Sequence, residues 1–120
     1  MKFLLVFLGG GLGSALRYLV SKYFNNLEQT IPYGTFVVNI VGSLLIGVFL
    51  GLSIKNQGFS QNQTLLLATG FCGGFTTYSA FAFENMQFLK NGDYLQFFGY
   101  TIATLFIGLL AVFLGLFLVK

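Results

Sequence analysis

Histidine is absent from this 120-residue chain, which removes the usual base near neutral pH and the commonest metal ligand. Cysteine occurs once, at Cys72, so no internal disulfide can form. Flanked by Phe71 and Gly73, it reads as a small apolar packing residue. Charge is scarce: six Lys or Arg and three acids make up 8% of the residues, against roughly a quarter in a soluble domain. That is too little to coat a water-facing surface. The net charge of +3 is scattered singly along the chain, which argues against a nucleic-acid-binding face. Inside the apolar runs no second carboxylate stands within helical reach of Glu84, so paired-acid catalysis is not expected. With no nucleotide-binding loop either, the chain does not read as an enzyme.

What is abundant is apolar. Hydrophobic residues make up 56% of the chain, with 16 Phe, 6 Tyr and a mean hydropathy of +0.83. The length accommodates one domain, 1–120, of about four membrane spans of ~20 residues each. The spans are expected near residues 3–23, 34–52, 63–89 and 94–119. The first resembles a signal peptide superficially, but Gly9, Gly10, Gly11 and Gly13 interrupt it and the apolar pattern continues through Leu19 and Val20, so it is read as a retained span. Polar connections fall at Asn25, Asn26, Glu28, Gln29 and Pro32, at Lys55–Asn62, and at Lys90–Asp93. Their shortness predicts that consecutive spans are antiparallel neighbours. Small residues four apart (Gly9 and Gly13, Gly47 and Gly51, Gly70 and Gly74) predict close helix packing in lipid.

An even number of spans puts both termini on one side of the membrane. Lys2, Lys55 and Lys120 then lie on that side, and Arg17, Lys22 and Lys90 lie on or lean toward the other. Orientation follows an excess of Lys and Arg on the cytoplasmic side. Three against three gives no excess, so insertion both ways up, and an antiparallel pair of chains, is the expectation.

The third span carries Gly70-Phe71-Cys72-Gly73-Gly74-Phe75-Thr76-Thr77-Tyr78-Ser79-Ala80-Phe81. Each glycine weakens a helix by about 1 kcal/mol, and adjacent threonines compete for backbone hydrogen bonds. A break is expected here. At membrane depth exposed backbone is tolerated only where protein, water or an ion meets it. The freed carbonyls of Gly73 and Thr76 suit a hard cation. Two copies meeting in an antiparallel pair would offer four neutral oxygens, suited to one sodium ion.

Few other groups in the spans can bind anything. Asn39 sits mid-span among Val37, Val38, Ile40 and Val41; it serves either an interhelical hydrogen bond or an anion. Arg17, near the end of span one, either snorkels to the interface or makes a pore mouth positive. Glu84 either snorkels, pairs with Arg17 or Lys90, or holds a vestibule. Tyr78 and Phe81 are three apart, and their ring edges carry positive potential that favours a small anion. Tyr100, Thr104 and Gly108 follow one another at spacings of four, and with Ser79 they suggest a polar track.

Taken together, three stretches resemble the Fluc (CrcB) fluoride channels: Gly9 to Tyr18, Gly34 to Ser43, and the broken segment from Gly70 to Phe81. The resemblance covers the whole chain in order. It implies a dual-topology dimer with two antiparallel fluoride pores and a central structural sodium, in the cell membrane. It assigns sodium to the carbonyls of Gly73 and Thr76, fluoride donation to Asn39, the aromatic box to Tyr78 and Phe81, the polar track to Ser79, Tyr100 and Thr104, and charged positions near the pore ends to Arg17 and Glu84. The family usually has Phe at position 78, Thr at position 80 and often a hydroxyl residue at position 108. Some members are obligate pairs of two different chains, so a paralogous partner stands beside the homodimer.

The function implied is passive fluoride export that reduces toxicity. Fluoride enters as a permeant weak acid and dissociates in the cytoplasm, so a leak driven by the negative interior suffices. Physics alone reaches a small-ion pathway. A four-span multidrug exporter is the first alternative, disfavoured because span one holds no acid. A structural membrane subunit is the second.

Overall fold

A computed structural model describes residues 1–24, 32–55 and 58–119. The expected connections at Asn25, Asn26, Glu28 and Gln29 and at Asn56 and Gln57, together with Lys120, lie outside the described residues.

Every regular element among the described residues is helical. Helix α1 spans Lys2–Phe24 and α2 spans Tyr33–Ile54. The third span, Gln61–Lys90, is composite. It begins as α3 (Gln61–Thr64), widens into a π-helical segment (Leu65–Cys72), closes as α4 (Gly73–Phe75) and resumes as α5 (Tyr78–Lys90). Helix α6 covers Tyr94–Leu118. The four spans hold 23, 22, 30 and 25 residues, each apolar enough to cross a membrane. At about 1.5 Å per residue each exceeds the ~30 Å hydrocarbon core. The chain is therefore a multi-pass membrane protein, and the four expected spans agree with the structure to within two residues at each end.

Local chemistry sets the ends. Ser60 accepts from the Gln63 backbone N–H at 3.2 Å, and the Gln63 side chain accepts from the Ser60 N–H at 2.9 Å. This reciprocal cap starts the third span two residues earlier than the hydropathy pattern indicates. At the other end Gly92 takes a φ of +78°, open to glycine without strain. The N–H groups of Gly92 and Asp93 bond the Leu89 and Phe88 carbonyls at 3.2 and 2.7 Å. That closes α5 with a Schellman turn.

Packing departs from sequence order. The heaviest contacts join α2 to α6 and α1 to the π-helical segment, with α1–α2 and α5–α6 lighter. Consecutive spans do touch, as expected, but the closest approaches join other pairs, and the glycines explain it. A Cβ on Gly9 would strike the Leu66 carbonyl, one on Gly13 the Phe71 carbonyl, and one on Gly74 the Gly10 carbonyl. On the other seam, a Cβ on Gly47 would strike the Val112 carbonyl and one on Gly51 the Val119 side chain. All three small-residue pairs seen in the sequence lie at these approaches. Glycine spacing overrides chain adjacency because in lipid it is backbone proximity, not apolarity, that favours one helix partner over another.

The interior is thin. Val38 and Cys72 are fully buried, and Ala68 and Phe75 nearly so, while Phe3, Phe7, Leu109, Phe113 and many others face outward. The buried thiol at Cys72 agrees with a packing role.

Candidate ion pathway

The break in span three is the work of the threonines. Gly70, Gly73 and Gly74 stay helical, within the π-helical segment and α4. Thr76 and Thr77 alone are extended, at φ/ψ of −84°/158° and −150°/120°. The reason is visible in their bonds. Thr76 Oγ1 donates back to the Cys72 carbonyl at 2.9 Å, beside the Thr76 N–H bond to the same oxygen at 3.0 Å, so one carbonyl serves two donors where the ladder ends. Thr77 then caps α5, its Oγ1 accepting from the Ala80 N–H at 3.3 Å and lying 3.3 Å from Ser79 Oγ. The glycines were expected to weaken the helix; Gly70 and Gly74 pack closely on α1, while Gly73 does not.

Asn39 holds the gap. Its Nδ2 donates to the Thr77 carbonyl at 3.1 Å, and its Oδ1 accepts from the Thr77 N–H at 2.8 Å. Both backbone groups of the most extended residue are thus satisfied by one amide from α2. A carboxamide has two N–H donors, and this arrangement uses one. The interhelical bond and a free donor, alternatives in the sequence, coexist.

A recess of about 340 Å³ opens beside this amide. It is lined by Asn39, Ser43, Thr76, Thr77, Tyr78, Phe81 and Thr104, with Gly42, Ile46 and Leu105. The lining carries amide, hydroxyl and aromatic groups and no charged side chain. Thr104 Oγ1 is buried and has no hydrogen-bond partner. Of the sequence-selected residues, Asn39, Thr76, Tyr78, Phe81 and Thr104 converge here. Ser79 stands behind the lining, against the Thr77 hydroxyl.

Tyr100 and Glu84 form a second cluster. Phe81 links the two, its ring centroid 5.1 Å from Tyr100 and 6.1 Å from Tyr78. Tyr100 OH donates to Glu84 Oε1 at 2.8 Å, and Thr35 Oγ1 donates to Glu84 Oε2 at 2.5 Å. Pairing of Glu84 with Arg17 or Lys90 does not occur among the described residues: two neutral hydroxyls hold the carboxylate, one on each oxygen. Thr35, only 2% exposed, was given no role by sequence reasoning. Its signal was present all the same, because Thr35, Asn39 and Ser43 repeat every four residues along α2.

Arg17 lies apart from both clusters. Its Nε donates to the Gly74 carbonyl at 3.0 Å, and Ser14 Oγ reaches the same oxygen at 3.4 Å. Gly74 sits in the last turn before the break, where carbonyls lack helical partners, and a cation there suits the helix dipole. Arg17 is therefore more than an interface anchor: it covers broken backbone. Gly73, next to it, is exposed, and nothing lies within 4 Å of a Cβ built on it.

A membrane-spanning bundle with a polar recess at a helix break defines a class, the small-ion pathway proteins. The comparisons narrow it. The family model described as "CrcB-like protein, Camphor Resistance (CrcB)" matches residues 4–116. Similar proteins named "Fluoride-specific ion channel FluC" include one from Gloeothece citriformis, 54% identical over all of this chain and 98% of its own length. Another, from Flavobacterium psychrophilum, is 48% identical over 94% of this chain and 92% of its own. A third, from a Hydrogenobaculum species, is 44% identical over 98% and 97%. The chain belongs to the CrcB family and is a multi-pass protein of the cell membrane.

Proposed function

We propose that this chain is a passive, fluoride-selective channel that lets fluoride leave the cytoplasm and so limits its toxicity. The carrying observation is the recess at the break, which is lined by hydrogen-bonding side chains and aromatic rings but no charged group. Fluoride is small and tightly hydrated, and it leaves water only where donors replace that shell. Asn39 supplies its spare N–H, Thr104 an unpartnered hydroxyl, and Phe81 and Tyr78 ring edges. No chemical step is involved, and the relatives' printed names support the same ion.

The anion route we infer runs from the recess past Phe81 to Tyr100, with Ser79 beside the Thr77 hydroxyl. Arg17 and Glu84 sit toward its ends, Arg17 adding positive field and Glu84 fixing the Thr35 and Tyr100 hydroxyls. The working unit is an antiparallel pair of identical chains in lipid. Tyr78, 78% exposed in the single chain, and the open face at Gly73 are surfaces a second copy would cover. Among the described residues no group of three or more His, Cys, Asp or Glu could hold a metal, so a cation at the break would rest on neutral oxygens. The carbonyls of Gly73 and Thr76 fit a monovalent hard cation such as sodium, which would supply the charge that ties two broken helices together.

The test is ion release from liposomes loaded with potassium fluoride and potassium chloride, using this chain expressed alone. Rapid fluoride efflux with chloride retained is expected. Equal release of both ions would reject selectivity, and no release by the single chain would reject the homodimer.

A further inference from the structure

Helices α2 and α6 face each other with polar positions that advance in step. Thr35, Asn39 and Ser43 repeat every four residues on α2; Tyr100, Thr104 and Gly108 do so on α6. The structure pairs them in levels. Thr35 and Tyr100 share Glu84. Asn39 and Thr104 line the same recess. At the third level Ser43 stands opposite a residue with no side chain. A Cβ built on Gly108 would lie 3.8 Å from Ser43 Oγ and 3.9 Å from Ile40 Cδ1, which is ordinary contact, so the space between the two positions is real. Ser43 lines the recess, is only half-buried, and its hydroxyl forms no hydrogen bond among the described residues.

We propose that Ser43 is a further anion-binding residue, donating its hydroxyl to the permeating ion one helical turn beyond Asn39 through the gap left by Gly108. This rests on the channel reading above. A hydroxyl on a mid-membrane helix ordinarily bonds the carbonyl four residues earlier, as Thr76 does to Cys72; Ser43 does not. Together with the spare N–H of Asn39 and the unpartnered Thr104 hydroxyl, it completes three neutral donors on two facing helices. Such a set replaces water around a small anion without trapping it by charge.

The experiment is fluoride efflux from liposomes, read by an ion-selective electrode, for the wild type, Ser43→Ala and the double variant Ser43→Ala/Gly108→Ser. Thermal stability is measured on each purified sample. Ser43→Ala is expected to slow efflux about tenfold, the loss of one hydrogen bond to a charged group, at unchanged thermal stability. The double variant is expected to recover most of the rate, because a serine at position 108 places a hydroxyl in the same gap without collision. Wild-type efflux from Ser43→Ala would overturn this inference and leave the channel reading standing. Slow efflux with lowered thermal stability and no rescue would assign Ser43 to packing and overturn it as well. A wild-type chain that released no fluoride would remove both readings.

Discussion

Along the seam that α1 forms with the π-helical segment and α4, Gly9, Gly13, Gly70 and Gly74 bring backbone against backbone. Along the seam between α2 and α6, Gly47 and Gly115 do the same at one end, while the other end carries Thr35, Asn39 and Ser43 opposite Tyr100, Thr104 and Gly108. The first seam is closed for its whole glycine length. The second is closed by glycine and then opened by polar side chains, and the recess lies where that change occurs. Small residues hold the bundle together in lipid, where apolar surface gives no preference for one partner over another. Polar residues take over where the broken third span presents backbone that needs partners. The two ends of the α2–α6 seam therefore divide the work between assembly and passage.

The contrast is broken most severely on the closed seam. Gly74→Leu drives a side chain into the Gly10 backbone, which cannot yield as a flexible side chain would. A loss beyond about 3 kcal/mol is expected, seen as failure to purify folded protein; a normal yield and melting profile would show that the seam can open. On the polar side, Asn39→Asp keeps the acceptor for the Thr77 N–H but loses the donor to the Thr77 carbonyl, and it puts a negative charge in the anion's path. Fluoride efflux is expected to fall by about a hundredfold or more. An unchanged rate would remove Asn39 from the pathway and leave it as a brace. Phe81→Ile preserves apolar bulk and removes the ring edge, so a decrease of about tenfold is expected with thermal stability nearly intact. Wild-type flux would reduce Phe81 to a spacer between Tyr78 and Tyr100. The smallest effect belongs to Gly11→Ala. Gly11 has nothing within 4 Å of a Cβ, so the change should leave flux alone and raise stability by up to about 1 kcal/mol. A drop in stability would mean that Gly11 also packs closely, against a second chain.

Much of the architecture was legible in hydropathy, because a bilayer demands long apolar helices and little else. The four spans follow from that demand, and the Lys90–Asp93 turn follows from Gly92. The break was legible too, though for a partly different reason. Glycines and threonines together mark weakness, but only geometry separates them: Gly70 and Gly74 pack on α1, and the threonines extend. The bidentate brace between Asn39 and Thr77 joins residues 38 positions apart, beyond the reach of any local pattern. Glu84 shows the same limit. Sequence proximity suggested Lys90, and charge suggested Arg17, yet its oxygens accept from Thr35 and Tyr100. Arg17 instead travels 57 positions along the chain to the Gly74 carbonyl.

Composition and hydropathy by themselves determined a four-span membrane protein with a weak point in its third span, since lipid admits no other solution for a chain with so few charges. Motif order determined the family. Only the tertiary structure decided which helices pair and which polar groups meet. Those outcomes depend on backbone approaches of a few ångströms between residues far apart in the chain, and the same glycine or hydroxyl closes a seam or lines a recess according to what stands opposite.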